Sequence, residues 1–131
     1  MEYSDSLKKN NEFQKVYRKG TSQANRYLVM YVLENHDRHM ENRLGISVSK
    51  KVGNSVVRHR VTRLVRESYR LNEEAFRQGL DIVVVARPAA RGRSYQEIES
   101  ALMHLAGRMK VRREVEDHPE DTHEEESYSE S

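Results

Sequence analysis

The chain has 131 residues and a formal net charge of +2, a length that suits one domain with a modest core. It contains no cysteine, which excludes a disulfide framework, thiolate metal ligands and a cysteine nucleophile, and fits a cytoplasmic location. The longest apolar run covers residues 82–86, far short of the roughly 20 residues that a membrane span needs, so we expect no membrane association.

A short helix is the first element that the sequence predicts. Its apolar residues recur at i, i+3 and i+4, so they share one helical face: Phe13, Val16 and Tyr17. Asn10 or Asn11 can cap the helix at its N-terminus, and Gly20 suits its C-terminal stop.

Two strands are predicted after this helix. Residues 26–33 are dominated by β-branched and aromatic side chains, and residues 43–49 alternate between apolar and small or polar ones. A polar loop at residues 35–42 joins them and contains His36 and His39. These two histidines have the spacing of weak metal ligands, but the loop offers no further ligand, so we interpret them as solvated.

A long helix is predicted from about residue 56 into the 70s, with Asn54 or Ser55 as its cap. At 100° per residue, one sector of this helix is apolar or small: Val57, Val61, Leu64, Val65, Ser68 and Leu71. The opposite sector carries the basic residues His59, Arg63, Arg66 and Arg70. Arg58 and Arg60 flank the apolar sector, and only Glu67 interrupts the cationic one.

A buried strand and a final helix follow. Residues 81–87 contain a β-branched run that Pro88 stops, which predicts the central strand of the sheet. Ser94 and Glu97 form a capping box that begins a helix. The apolar face of this helix is predicted to pack on the sheet: Ile98, Ala101, Leu102, Leu105, Ala106 and Met109.

Charge is segregated along the chain. Residues 114–131 contain nine carboxylates and no lysine or arginine, so the remaining 113 residues carry all 23 basic residues against 12 acidic ones, a net charge of +11. We therefore divide the chain into a domain at residues 1–113 and an acidic tail at residues 114–131 that is predicted to be disordered. Two roles for the tail stay open, a solubilising appendage and a competitor of nucleic acid for the basic domain.

The excess positive charge makes a polyanion the favoured partner. A solubilising surface usually interleaves both signs of charge, whereas the cationic sector of the long helix does not. Guanidinium groups bind phosphate oxygens in a bidentate manner, and each neutralised phosphate releases counterions. Lys50, Lys51 and the backbone amides of residues 53–55 add positive potential at the start of the helix. We interpret this surface as phosphate binding.

Residues 47–67 resemble the signature of the bacterial ribonuclease P protein family, usually written as an Arg-Asn-Arg motif: SVSKKVGNSVVRHRVTRLVRE. Residues 7–33 and 81–90, with the capping-box helix after them, are similar to the same family, so the resemblance covers roughly residues 7–108. His59 stands where the family usually has asparagine, and Thr62 where a basic residue is common.

The resemblance implies an α+β fold, a two-layer α/β sandwich of the ribosomal protein S5 domain 2-like type. In that fold the Arg-rich helix connects two parallel strands by a left-handed βαβ crossover. Periodicity alone predicts the common right-handed form.

The resemblance also implies which residues face RNA. By resemblance, the following residues lie against the catalytic RNA of ribonuclease P, near its active centre: Lys51, Arg58, His59, Arg60, Arg63 and Arg66. Charge and position add Lys50, Asn54 and Arg70 to this predicted RNA-binding surface.

Three aromatic residues, Phe13, Tyr17 and Tyr31, correspond to the family's central cleft, which holds the single-stranded 5′ leader of precursor tRNA. Aromatic rings stack unpaired bases with little sequence preference, which suits that role. Ordinary core packing is the competing interpretation of these residues.

The implied function is that of the protein subunit of ribonuclease P, an endoribonuclease in which the RNA subunit carries catalysis and holds the Mg²⁺. The sequence contains no recognisable set of catalytic side chains. We expect the protein to act as a monomer within a ribonucleoprotein that binds precursor tRNA. Two alternatives stay open: a general or ribosome-associated RNA-binding protein of the same fold, and a DNA-binding protein that reads its target with the Arg-rich helix.

Overall fold

The computed structural model describes residues 4–35 and 41–112, which form a five-stranded sheet with three α-helices, so the predicted α+β class is confirmed. In chain order the elements are β1 (Ser4–Ser6), α1 (Asn10–Lys19), β2 (Thr21–Ala24), β3 (Leu28–Glu34), β4 (Asn42–Ser47), α2 (Ser55–Leu71), β5 (Leu80–Ala86) and α3 (Tyr95–Arg108). Short 3₁₀ turns at Glu73–Ala75 and Pro88–Ala90 flank β5. His36, His39 and the predicted tail at residues 114–131 lie outside the described residues.

The sheet has the strand order β1, β4, β5, β3, β2, which places β5 at its centre. The predicted central strand is thereby confirmed, and of its residues only Val85 is less than fully buried. β4 and β5 are parallel neighbours, with Leu44 opposite Ile82, and α2 connects them. β3 and β4 are consecutive in the chain but do not pair, because β5 lies between the two strands and pairs antiparallel with β3.

Both edge strands were missed by sequence reasoning. β1 and β2 are three and four residues long and are made mainly of serine and other polar residues, so they lack the β-branched pattern of a strand. Tertiary contacts hold β1 in place: Ser4 shares a 2.8 Å hydrogen bond with the hydroxyl of Tyr69, and Asn42 donates to that hydroxyl over 3.3 Å. Neighbouring structure therefore fixes these edges, and their own composition does not.

The main core lies between the sheet and the two long helices. α3 buries the face that the sequence predicts, with Met109 only partly buried at its end. Asn54 caps α2 by accepting a hydrogen bond from the backbone N–H of Val57, and Ser94 and Glu97 form the predicted capping box of α3. Because side chains cap the free backbone N–H groups at the N-terminus of each helix, both helices have well-defined starting points.

The opposite face of the sheet carries α1. Lys9, and not Asn10 or Asn11, is its N-cap residue; the Glu12 carboxylate satisfies the backbone N–H groups of Lys8 and Lys9 in place of an asparagine side chain. The predicted stop at Gly20 is confirmed, and the glycine is required by close packing, since a Cβ there would lie 2.6 Å from the carbonyl oxygen of Val32.

An ionic network joins α1 to the sheet. Arg43 on β4 donates to both carboxylate oxygens of Asp81 on β5, over 2.9 and 2.6 Å, and to Glu12 over 2.9 Å. Backbone N–H groups of Lys9 and Lys8, followed by the charge of Arg43, hold the pKa of Glu12 below its usual value. A depressed folded-state pKa means that this contribution to stability is present above the unfolded pKa and is lost as the pH falls through the folded one.

Candidate nucleic-acid interface

The predicted Arg-rich helix is confirmed as α2, and one side of it is anchored in the core. Val61, Val65 and Ser68 are buried, and Val57 and Leu64 are half-buried against the same core. The predicted apolar sector is wrong at the C-terminal end of the helix, where Leu71 is 56% exposed and Tyr69 is fully buried instead. Leu71 is the last residue of the helix.

The opposite side of α2 is exposed and cationic. His59, Arg63 and Arg66 are exposed and make no hydrogen bond or ion pair with any residue that the structure describes. Successive residues in this row lie three or four positions apart, so their side chains follow one face of the helix at about 5 Å intervals. A row of this kind can follow successive phosphates of a nucleic-acid backbone.

Arg70 departs from the predicted uncompensated row. Its Nε and one terminal nitrogen bind both carboxylate oxygens of Glu67, over 2.8 and 2.6 Å. The Arg70 guanidinium thereby holds the pKa of Glu67 below its usual value. Arg70 is thus already paired within the helix, and the available cations of this face are those of Arg63 and Arg66, with His59 beside them.

The start of α2 brings the other predicted RNA-binding residues together. Lys50 and Lys51 are exposed in the turn before the helix. The Asn54 side-chain oxygen is engaged by the helix cap, and Arg58 is half-buried and donates to the carbonyl oxygen of Gly53 over 3.1 Å. Lys50 and Lys51 are therefore the freest cations here, whereas Asn54 and Arg58 shape the turn.

The three predicted cleft aromatics lie together on the other face of the sheet. The rings of Tyr17 and Tyr31 meet edge to face with centroids 4.9 Å apart, and the Phe13 ring lies 6.5 Å from that of Tyr17. All three are half-buried around Val83, so they combine packing with accessible ring surface. Phe13 lies directly on the backbone of Gly45, where a Cβ would approach its ring to 2.6 Å.

Sequence reasoning missed a second group of cations. Arg26 and Arg93 lie over the ring of Tyr27, with guanidinium carbons 5.7 and 5.3 Å from the ring centroid. These residues come from the segments before β3 and before α3, which are far apart in sequence. No local pattern connects them, because the fold alone brings them together.

Two classes of site are absent from the described part of the chain. Among residues 4–35 and 41–112, no group of three or more His, Asp or Glu side chains is placed to hold a metal ion. No helix within the same residues is both long and apolar enough to cross a membrane.

Comparisons with known proteins give one consistent result. A family model described as Ribonuclease P matches residues 1–110. A ribonuclease P protein component from Lachnoclostridium phytofermentans is 61% identical over 108 residues, which are 82% of this chain and 91% of that protein. One from Alkaliphilus metalliredigens is 52% identical over 111 residues, covering 85% of this chain and 98% of that protein.

Solved structures agree with the sequence comparisons. The RNase P protein of Staphylococcus aureus superposes with a TM-score of 0.76 at 38% identity, covering 84% of this chain and 99% of that one. The RNase P protein of Thermotoga maritima superposes with a TM-score of 0.70 at 28% identity, covering 77% of this chain and 94% of that one. The described fold is therefore one that these proteins share.

Proposed function

The chain belongs to the bacterial ribonuclease P protein family, and from that premise we propose how its surfaces serve the enzyme. It is a subunit of the ribonuclease P holoenzyme, an endoribonuclease whose known role in this family is the processing of tRNA leaders. Its partners are accordingly an RNA subunit and precursor tRNA.

The exposed row on α2 is the surface proposed to bind the catalytic RNA. The observation that carries this proposal is that Arg63 and Arg66 stand one helical turn apart, backed by buried Val61 and Val65, with no carboxylate paired to them among the described residues. The buried side of α2 fixes the backbone positions from which the two side chains project, so the spacing between them is set before they meet phosphates. Lys50 and Lys51 extend this surface beyond the start of the helix.

Catalysis is proposed to reside in the RNA subunit. The described residues offer no group of acidic or histidine side chains suited to Mg²⁺, so they do not fit a protein-held metal site. We therefore assign the Mg²⁺ to the RNA and assign no chemical step to protein side chains. The protein contributes positive charge, a net of +11 over residues 1–113, which reduces repulsion between the catalytic RNA and its tRNA substrate.

The aromatic cluster is proposed to hold the 5′ leader. Phe13, Tyr17 and Tyr31 leave part of each ring accessible on the sheet face opposite α2. A single-stranded leader exposes unpaired bases that can stack on such rings, whereas most bases of the folded tRNA body are paired and stacked. Leader recognition and catalytic-RNA binding would then occupy different faces of one small domain.

Replacing Phe13 with alanine should weaken binding of leader-bearing precursor tRNA by the holoenzyme and spare mature tRNA. Loss of one base stack removes about 1–3 kcal/mol, roughly 5- to 150-fold in affinity. Phe13→Leu keeps an apolar side chain against Gly45 while removing the aromatic face, so it should show most of the same loss with an intact fold. Equal losses for precursor and mature tRNA would assign Phe13 to packing alone.

The finer fold assignment also belongs to the proposal. We place the domain in the ribosomal protein S5 domain 2-like class, with a left-handed crossover from β4 through α2 to β5. The parallel pairing of β4 with β5 across α2 supports a crossover connection of this kind. The family resemblance supplies its hand.

Location and assembly are proposed on the same grounds. We infer a cytoplasmic protein, since the family processes tRNA and the chain contains no cysteine. We further propose that one protein subunit joins the RNA without a protein dimer. The boundary between the domain at residues 1–113 and the acidic tail is supported by the family match, which ends at residue 110.

A further inference from the structure

A second cationic surface lies at one end of the sheet, where β4 and β5 finish and β3 begins. Because Leu28 pairs with Ala86, the residues just before β3 meet those just after β5. Arginines from three segments gather here, and we call them the guanidinium corner: Arg26, Arg60, Arg87, Arg91 and Arg93. Lys50 and Lys51 follow β4 at the same end, because β4 and β5 are parallel.

The ring of Tyr27 organises this corner. Tyr27 is half-buried against the main core, so its position is fixed by packing. The guanidinium carbons of Arg26 and Arg93 lie 5.7 and 5.3 Å from the ring centroid. A guanidinium that rests on an aromatic ring keeps its N–H donors in its own plane, free to meet phosphate oxygens at its edge.

Hydrogen bonds to the backbone fix the corner further. Arg87 donates to the carbonyl oxygen of Asn25 over 2.8 Å, and Arg93 donates to that of Ala89 over 3.3 Å. Arg60 of α2 donates to the carbonyl oxygen of Arg93 over 3.2 Å. Arg60 therefore links the corner to α2, on which it directly follows His59 of the exposed row.

Negative charge is scarce at this end of the described molecule. Glu97 approaches Arg93 to 3.5 Å, but the same carboxylate accepts the backbone N–H of Ser94 in the cap of α3. At the other end of the sheet, Arg43 is paired with Asp81 and Glu12. Ion pairs thus neutralise Arg43 and Arg77 at that end. Among the described residues, Arg93 is the one arginine of the corner in an ion pair, with Glu97.

We propose that the guanidinium corner is a second phosphate-binding surface, which takes a stretch of catalytic-RNA backbone continuous with the one on α2. The inference rests on the proposed function, since it extends the same RNA interface around the end of the sheet. The catalytic RNA is the partner because Arg60, which the family resemblance places against that RNA, is hydrogen-bonded to the corner. Arg26 and Arg93 both lie over the ring of Tyr27, and guanidiniums that bind phosphates read no base sequence.

The test is a charge-removal pair with a matched control. Arg26→Gln with Arg91→Gln removes two exposed guanidiniums that donate no hydrogen bond to the described fold. Lys110→Gln with Arg112→Gln removes the same charge from exposed positions beyond the end of α3. Affinity for the catalytic RNA subunit is measured between 50 and 200 mM salt. We expect the log–log salt slope to fall by about 2 units and affinity by about tenfold for the corner variant, with little change for the control.

Several results would overturn the proposal. An unchanged slope, or an equal loss in the control, would leave the corner without phosphate contacts. Normal binding of catalytic RNA with weakened binding of precursor tRNA would move the surface to the substrate. A variant lacking Arg63 and Arg66, measured in the same series, separates binding by α2 from binding by the corner. If the salt slope falls for this variant but not for the corner variant, the proposed function stands and the corner does not bind the RNA.

Discussion

Simultaneous replacement of Arg63 and Arg66 with alanine is expected to weaken binding to the catalytic RNA and to reduce the log–log salt slope by about 1–2 units. Both side chains are exposed, and no carboxylate of the described chain is paired with either. Each phosphate contact contributes about 0.9 to the slope, so two lost contacts are measurable by titration at four salt concentrations. Alanine favours the helix, so α2 should stay intact.

A control from the same helix isolates the cause. Glu67→Ala with Arg70→Ala removes an existing ion pair from α2 and leaves the net charge unchanged. We expect it to alter the slope by less than about half a unit, because Arg70 is already compensated in the free protein. An equal loss of slope in both double variants would show that the row has no special part in RNA binding.

Replacing Arg43 with methionine is expected to lower the free energy of unfolding by about 3 kcal/mol. The Asp81 side chain is 3% exposed and that of Arg43 is 15% exposed, so the substitution leaves a buried carboxylate without its counterion. Glu12 loses a 2.9 Å contact as well, which loosens α1 from the sheet. Urea unfolding followed by circular dichroism measures the change.

The double variant Arg43→Met with Asp81→Asn tests the reason for that loss. It removes the stranded charge while Asn35, which donates to Asp81 over 2.6 Å, keeps a neutral partner. We expect it to recover part of the lost stability relative to Arg43→Met alone. If Arg43→Met alone changed the free energy of unfolding by less than about 0.5 kcal/mol, the ionic network would not be what secures α1.

The elements with strong periodicity could be predicted from the sequence. The β-branched run in β5 is buried on both sides, and the capping box of α3 depends on residues three apart, so both are local signals. β1 and β2 carry no such signal, because Tyr69 and the pairing with β3 and β4 hold them. These two polar segments form strands only because β4 and β3 pair with them.

The functional surfaces also differ in how far the sequence predicts them. The row on α2 follows from helical periodicity, and the structure places Arg63 and Arg66 as predicted. Periodicity does not specify rotamers, so it could not reveal that Arg70 binds Glu67. The corner around Tyr27 depends on the contact between residues 27 and 93, which are too far apart in sequence for any local pattern to connect them.

Reconstitution of cleavage tests the central claim most directly. The claim is that the protein binds the RNA subunit through α2 and leaves bond breaking to the RNA. The purified protein, added to the catalytic RNA and precursor tRNA, should restore leader removal at low Mg²⁺, where the RNA alone is weak, and the Arg63→Ala with Arg66→Ala variant should restore much less. Cleavage that the protein leaves unchanged at every Mg²⁺ concentration would contradict the account.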